Sequence, residues 1–387
     1  MTIRTRPSLL VAAILAAATQ NCAWADDSLV QTTRALQHIQ AAVAVGDARA
    51  AASQTTLMKQ LGALVAAIDP DALQDRRKRD AISIYLLSGG DPAYASHLFV
   101  DASIKAQAPL VFGAFAFSMG HPKEAVTHLE MQDLNVAPPG LAAQIAYVLS
   151  VLYTEDDPDK ALAFLEFARL AAPGALVEEV ALRRETLLSI QRGEADRFAR
   201  LMRQYFLRYS RSPYAAEFSR TLAASVVKAS QGDNDRIVAA AIVGAQRMSS
   251  DAKTDFLLTI ARELIYDGAH RAALLAARAS DSLAAPNSQS AARAGLYSLI
   301  SALALGASAT VDALDSYDAA RLPTQDRELL QASKALFRPV RAPLDDPKQT
   351  NHESTEVGPA RSLLTPTLEA GAAAIARADN LLKRRQP

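Results

Sequence analysis

The pattern of hydrophobic and polar positions predicts helix along nearly the whole chain. Alanine, leucine, arginine and glutamate dominate, and β-branched residues in alternation with polar ones, which are typical of strands, do not form runs. A glycine or aspartate followed by a polar pair recurs before each new helical stretch, at intervals of 30 to 44 residues: Gly46, Gly90, Gly120, Asp156, Gly193, Gly232, Gly268 and Gly306. Because each interval has the length of one helical hairpin, the chain is predicted to be a helical repeat.

Two of these hairpins fit the tetratricopeptide pattern in detail. Gly113 and Ala125 supply small residues to the two helices of one hairpin, and Ala161 is followed twelve residues later by Pro173 in the next. Small residues let paired helices approach closely, and proline ends the second helix. We therefore predict an all-α fold, a right-handed solenoid of tetratricopeptide-like hairpins over residues 26–337. An irregular all-α domain with the same hairpins is the alternative.

The N-terminus has the pattern of a secretory signal peptide, predicted at residues 1–25. A short basic segment precedes a ten-residue apolar run, which leads to the small-x-small cleavage motif Ala23-Trp24-Ala25. The run is too short to span a bilayer as a helix, and a buried N-terminal helix is the alternative. Cleavage after Ala25 predicts a soluble periplasmic protein that starts at Asp26 and inserts into no membrane.

Composition restricts the partners of this exported chain. Removing the signal leaves 41 − 2 = 39 basic residues against 41 acidic ones, a formal charge of −2. Near-neutral charge argues against nucleic acid as a partner, because that affinity depends on neutralising phosphates. The single cysteine, Cys22, lies within the predicted signal, so burial of apolar side chains rather than disulfides must stabilise the mature chain.

The C-terminal end differs from the repeats. Residues 338–361 concentrate proline and polar residues, which is typical of a linker. Residues 362–387 resume a helical pattern with basic residues at its end, where they suit the helix dipole. We predict a C-terminal helix that either docks back on the repeats or binds a partner separately.

Several groups resemble catalytic or metal sites without meeting their requirements. Ser118 stands in part of a nucleophile-elbow motif, but a helix rather than a strand precedes it. His121, Glu124 and His128 have helical spacing, but Pro122 places His121 in a turn, so a solvated helix face is favoured over a metal site. The zinc-protease signature and the phosphate-binding glycine loop do not occur. The sequence thus predicts no catalytic residue, metal or cofactor, and no enzyme.

One stretch, "APGALVEEVALRRE" at residues 172–185, carries five ionisable groups within eight positions. Helical spacing predicts that Glu179 and Arg183, four residues apart, form an ion pair on the surface. The same spacing predicts an apolar stripe made of Val177, Val180, Ala181, Leu187 and Leu188.

Arg184 falls within that stripe, seven residues after Val177. A buried arginine needs a partner, because an unpaired buried charge is very costly. The favoured interpretation is a structural bond to a neighbouring hairpin, or to Glu178 or Glu185. The other is an arginine left in a groove to receive an acidic partner.

The stretch 203–218 has the densest mixture of aromatic and basic residues. Its aromatic side chains are expected to fill the core of a hairpin. Because arginine and tyrosine also anchor protein interfaces, the stretch is the leading candidate for a partner surface as well. The candidate partner-binding residues are Arg184, Tyr205, Arg208, Tyr209 and Tyr214.

Three stretches together carry a likeness to a known family: "SIYLLSGGDP" (83–92), "APGALVEEVALRRE" (172–185) and "QYFLRYSRSPYAAEF" (204–218). With the signal and the helical pattern around them, the chain resembles MotC, the motility protein family of rhizobia and related alphaproteobacteria. The resemblance implies a periplasmic, non-enzymatic protein required for flagellar rotation. It further implies a chaperone or stabiliser of the periplasmic domain of MotB, the stator protein, with no catalytic residues.

Two other functions stay open at this stage. One is a general periplasmic repeat adaptor in envelope assembly. The other is a superhelical lytic enzyme of the cell wall, which would need a catalytic domain beside the repeats. Only 49 residues follow Arg338, too few for that domain.

Overall fold

The computed structural model describes residues 28–337 except 102, 232–233 and 308–310. These residues belong to the first of two compact units, which comprises Met1–Arg338. The predicted signal peptide, linker and C-terminal helix lie outside the described residues, and they stay predictions.

The described part of the chain is helical and contains no strand, which confirms the all-α prediction. Short 3-10 helices occur at Pro70–Gln74, Pro92–Phe99 and Ala245–Arg247. The α-helices are α1 (28–44), α2 (Ala48–Ala66), α3 (Arg76–Leu87), α4 (Ser103–Gln107), α5 (Pro109–Ser118), α6 (Pro122–Leu129), α7 (Pro139–Tyr153), α8 (Pro158–Ala171), α9 (Leu176–Gln191), α10 (Ala195–Tyr209), α11 (Ala215–Ala229), α12 (Asp235–Gly244), α13 (Ser250–Tyr266), α14 (His270–Asp281), α15 (Gln289–Ala304), α16 (Val311–Asp315) and α17 (Thr324–Phe337).

The helices are arranged as stacked hairpins. Helix α5 pairs with α6, α7 with α8, α9 with α10, and α13 with α14. Helices two apart also touch, in one series α7, α9, α11, α13 and α15 and in another α10, α12 and α14. Contact of each unit with its neighbours is the pattern of a repeat protein, so the predicted helical-repeat fold is confirmed. Its right-handed sense and its tetratricopeptide character stay predictions.

A recurring glycine turn ends the first helix of several hairpins. After α5, Gly120 has a φ of 76° and its N–H donates to the carbonyl of Phe117 at 3.0 Å. The N–H of His121 then reaches back to the carbonyl of Ala116 at 2.8 Å. Glycine suits this left-handed position because it has no Cβ. The same backbone pattern recurs at four more predicted turns: Gly46, Gly193, Gly268 and Gly306.

One predicted turn is displaced by a residue. The left-handed residue after α3 is Gly89, with a φ of 88°, rather than Gly90. Gly90 instead lies against the ring of Tyr85, where a Cβ would overlap the aromatic carbons. Gly89 therefore allows the backbone to turn, and Gly90 allows close packing against Tyr85. The predicted turn at Gly232 lies outside the described residues.

Helix α1 connects hairpins that are far apart in the sequence. Leu29 and Leu36 are buried in a core cluster with α2, α3 and α5. Ala44, at the other end of α1, is buried in a second cluster formed mainly by α9 to α17. The following turn packs closely, since a Cβ on Gly46 would overlap the backbone carbonyl of Arg211 between α10 and α11. This contact departs from the neighbour-to-neighbour packing of the other hairpins.

Candidate functional site

Helix α9 carries three glutamates that are almost wholly buried. The exposed fractions of Glu178, Glu179 and Glu185 are 1%, 0% and 1%. The ion pair of Glu179 was predicted to lie on the surface, and this location is wrong because the carboxylate is buried. Helix α9 contacts α7, α8, α10 and α11, so its charged side lies inside the protein as well as its apolar one. Such burial requires a bonding partner for each carboxylate.

The predicted apolar stripe of α9 is only partly buried. Ala181 and Leu188 lie in the core, whereas Val177 and Val180 are half-buried, as is Leu187. Helical spacing placed Glu179 on the side away from this stripe, but neighbouring helices cover that side too. Amphipathic spacing is informative only when one face of a helix meets water.

Glu178 joins the start of α9 to the end of α10. Its Oε2 accepts a 2.7 Å hydrogen bond from the Tyr209 hydroxyl and another from the backbone N–H of Gly174. Its Oε1 accepts from the guanidinium of Arg208. Burial raises the pKa of Tyr209, and the neighbouring Glu178 carboxylate adds to the effect. The tyrosine consequently stays neutral, and its hydroxyl donates a hydrogen bond to the carboxylate.

Glu179 makes a parallel connection next to it. Its Oε1 accepts from the Tyr205 hydroxyl at 2.8 Å and from Ser212 Oγ at 3.1 Å. Its Oε2 accepts from Arg183 at 3.2 Å, so the predicted pair exists, but with a buried carboxylate. The Arg183 guanidinium lies 4.9 Å from the ring centre of Tyr214, a cation–π contact.

Glu185 links three successive helices. Its Oε2 accepts from Arg169 Nε of α8 at 3.0 Å, and its Oε1 accepts from Arg197 Nη2 of α10 at 2.8 Å. Two guanidinium groups on one carboxylate compensate for its loss of hydration. Glu185 thus stabilises the junction between two hairpins.

Arg184 makes a structural bond to a neighbouring hairpin. It is half-buried, and its Nη2 donates to Thr154 Oγ1, at the end of α7, at 2.8 Å. The partner is a hydroxyl of α7 rather than Glu178 or Glu185, which bond other groups. Any contact of Arg184 with a partner protein stays a prediction.

The other predicted partner residues divide between core and surface. Tyr205 and Tyr209 are fully buried, so they fill a hairpin core, as the favoured interpretation expected, and are removed from any partner surface. Arg208 keeps 44% of its side chain exposed, and Tyr214 is 38% exposed. The two exposed residues lie near the end of α10 and the start of α11.

The groups that resemble catalytic or metal sites have structural contacts. Ser118 Oγ donates to the carbonyls of Ala114 and Leu86 at 3.0 and 3.2 Å. The ring of His128 packs edge-on against Phe112, with 4.9 Å between ring centres. Among the described residues, no three acidic, histidine or cysteine side chains gather as metal ligands would. None of the helices described is long and apolar enough to cross a membrane.

Two grooves lie between the helices. One, of about 450 Å³, is lined by α1, α3 and the starts of α7 and α9. The larger, of about 700 Å³, is lined by α11, the first part of α13, the residues just before each of them, and Phe206 of α10. Arg211 and Arg247 stand at this larger groove, and sequence reasoning did not select them. Their signal is positional, because they lie 247 − 211 = 36 residues apart, Arg211 shortly before α11 and Arg247 shortly before α13.

Comparison with known proteins extends the likeness carried by the three stretches. The family model described as "Chemotaxis protein MotC" matches residues 1–387. A relative, chemotaxis protein MotC of Rhizobium meliloti (strain 1021), is 28% identical over 322 residues. That alignment covers 81% of this chain and 72% of the relative. The match to the family extends over the whole chain, and the chain therefore belongs to the MotC family of chemotaxis proteins.

Proposed function

We propose that this protein is a periplasmic, non-enzymatic factor that flagellar rotation requires. In this proposal it binds the periplasmic part of the stator protein MotB and stabilises it. The observation that carries the proposal is the family match over the whole chain, with a relative that bears the name of a chemotaxis protein. The stator partner is what the family resemblance implies.

The fold suits a binding role. Stacked hairpins offer extended grooves to a folded domain or a segment of a partner, and two such grooves are open here. The buried glutamates of α9 bond to side chains of α8 and α10 and connect these helices. A scaffold of this kind needs a rigid surface, which such internal bonds provide.

The proposal is tested by deleting the gene. We expect cells that assemble normal filaments and do not swim, with swimming restored by a plasmid copy. A plasmid copy that lacks residues 1–25 should fail to restore swimming, because the protein would stay in the cytoplasm. Mutants without filaments, or mutants that swim normally, would contradict a role in rotation. Restoration by the truncated copy would contradict a periplasmic site of action.

A further inference from the structure

We propose that the groove between α11 and α13 docks an acidic, amphipathic helix of a partner protein. The inference rests on the proposed function only for the identity of the partner. The kind of helix that the groove binds is deduced from the residues that line the groove and from the packing of α1 on the adjoining surface.

The floor of the groove is apolar, with alanines beside larger side chains. Phe206, Ala223 and Phe256 form buried parts of the floor, and Met248 is half-buried beside them. Ala216 and Ala252 are exposed within the lining, so space remains above them. Burying this apolar surface against the apolar stripe of a helix lowers the free energy of the complex.

The rim of the groove is positively charged. Arg211, Arg220 and Arg247 line it, against one carboxylate, Asp255. Arg220 is paired with Glu217 of the same helix. The exposed side chains of Arg211 and Arg247 have no hydrogen bond or ion pair with any other residue that the structure describes. Two guanidinium groups without partners beside an apolar floor fit carboxylates that flank an apolar stripe.

The repeat itself sets the positions of the two arginines. Arg211 lies four residues before the start of α11, and Arg247 lies three residues before the start of α13. Since α11 and α13 pack against each other, the segments before them lie at corresponding positions of neighbouring repeats. The groove therefore has Arg211 and Arg247, which are unpaired among the described residues, on adjacent repeats, so a helix that crosses both repeats can meet them.

The adjoining surface already holds a helix in this manner. Helix α1 packs across distant hairpins through one stripe of buried residues: Leu29, Thr33, Leu36, Gln40 and Val43. The turn at its end presses against the backbone of Arg211, where the larger groove begins. The groove thus continues a surface that accommodates a helix through a stripe spaced by three and four residues.

Labelled synthetic peptides test the proposal with the full mature chain. Three probes are used: a helical peptide with a leucine stripe and glutamates elsewhere, the same peptide with lysines for the glutamates, and a scrambled acidic peptide. We expect fluorescence anisotropy to show binding of the first alone. Arg211→Glu with Arg247→Glu should weaken it at least about tenfold and favour the lysine peptide. Arg200→Glu with Arg236→Glu reverses two exposed arginines outside the groove and should change the affinity by less than about twofold.

A second variant fills the groove instead of changing its charge. Ala216→Trp should abolish binding of the acidic amphipathic peptide, whereas Ala239→Trp, on the exposed side of α12, should not. Circular dichroism melting of all variants identifies any that fail to fold. Equal binding of the lysine or scrambled peptide, equal loss in both arginine pairs, or binding to anionic vesicles without peptide binding would overturn the proposal.

Recovery of the stator protein separates this inference from the proposed function. If the Arg211→Glu, Arg247→Glu protein recovers the periplasmic part of MotB at the wild-type level, the groove is not the docking site and the proposed function stands. If the wild-type chain fails to recover it, the proposed function is contradicted, and the peptides still test the groove.

Discussion

The hydroxyl of Tyr205 donates a 2.8 Å hydrogen bond to Oε1 of Glu179, joining α10 to α9 inside the protein. One turn along α10, Tyr209 makes the same bond to Glu178 at 2.7 Å. Far along the chain, Tyr297 of α15 donates to Asp326 of α17 at 2.6 Å. Buried tyrosine–carboxylate bonds therefore recur as polar connections between helices of the stack.

Removing the Tyr205 hydroxyl should destabilise the protein. Tyr205→Phe leaves the buried Glu179 with fewer donors, which costs about 1–3 kcal/mol of the free energy of unfolding. Tyr214→Phe is the matched control, because that side chain is partly exposed and its ring contact with Arg183 does not need the hydroxyl. Urea unfolding followed by circular dichroism measures both. Equal stability of the two variants would show that the Tyr205–Glu179 bond contributes nothing.

The buried carboxylate of Glu185 should be far more sensitive than an exposed one. Glu185→Ala leaves Arg169 and Arg197 only the half-exposed Glu166 as a shared partner, at 4.0 and 3.7 Å, and is expected to cost about 3 kcal/mol. Glu217→Ala removes an exposed ion pair with Arg220 and should cost at most about 1 kcal/mol. Thermal unfolding of both variants gives the comparison, and similar losses would contradict the role assigned to Glu185.

Stability should fall at alkaline pH because of the buried tyrosines. Burial and the adjacent carboxylates raise the pKa of Tyr205 and Tyr209 above the ordinary value. In the unfolded chain these groups ionise at about pH 10, so above that pH the unfolded state binds fewer protons and gains stability relative to the native state. The stability that these two tyrosines contribute is present below about pH 10 and is lost as the pH rises towards their pKa in the folded state.

Urea unfolding at a series of pH values from neutral to alkaline measures this dependence. The double variant Tyr205→Phe, Tyr209→Phe should start less stable and decline less steeply than the wild type. Tyr214→Phe, at a partly exposed position, is the control for the removal of a tyrosine hydroxyl. A slope unchanged in the double variant would assign the alkaline loss to other groups.

The contact of α1 with distant hairpins can be tested at Gly46. Gly46→Ala meets both a left-handed φ of 95° and the backbone carbonyl of Arg211, whereas Gly120→Ala meets a φ of 76° in open space. We expect about 1–2 kcal/mol for Gly120→Ala from the backbone alone. Gly46→Ala should cost about 1–3 kcal/mol more from the overlap. Hydrogen exchange of residues 28–44 should rise only in Gly46→Ala, and a rise in both or neither would contradict the α1 contact.

The repeat architecture could be predicted because its signals are local. Glycine is favoured at a left-handed turn because it has no Cβ, and this preference does not depend on the rest of the fold. Gly120 and Gly193 follow the ends of helices in this conformation, as predicted. Gly113 likewise approaches the second helix of its hairpin closely, since a Cβ there would lie 3.0 Å from His128 Cβ. Periodic small residues and turns thus determine much of the hairpin pattern.

The environment of α9 could not be predicted for the opposite reason. Whether Glu179 faces water depends on helices α10 and α11, which follow it in the sequence and cover it in space. Helical spacing alone assigns the apolar face of a helix to the core and the charged face to the surface. It cannot detect a helix that other helices cover on both faces. Arg184 was correctly expected to need a partner, but Thr154, 30 residues earlier, could not be identified from spacing.

The most direct test of the account is co-purification of the mature chain with the periplasmic part of MotB. The two proteins are produced together in the periplasm, with a tag on the stator fragment, and the complex is recovered at physiological salt. We predict that they elute together and that the stator fragment is degraded more slowly when this chain is present. Recovery of an envelope-assembly complex without the stator fragment, or no recovery of the fragment at all, would contradict the proposed function.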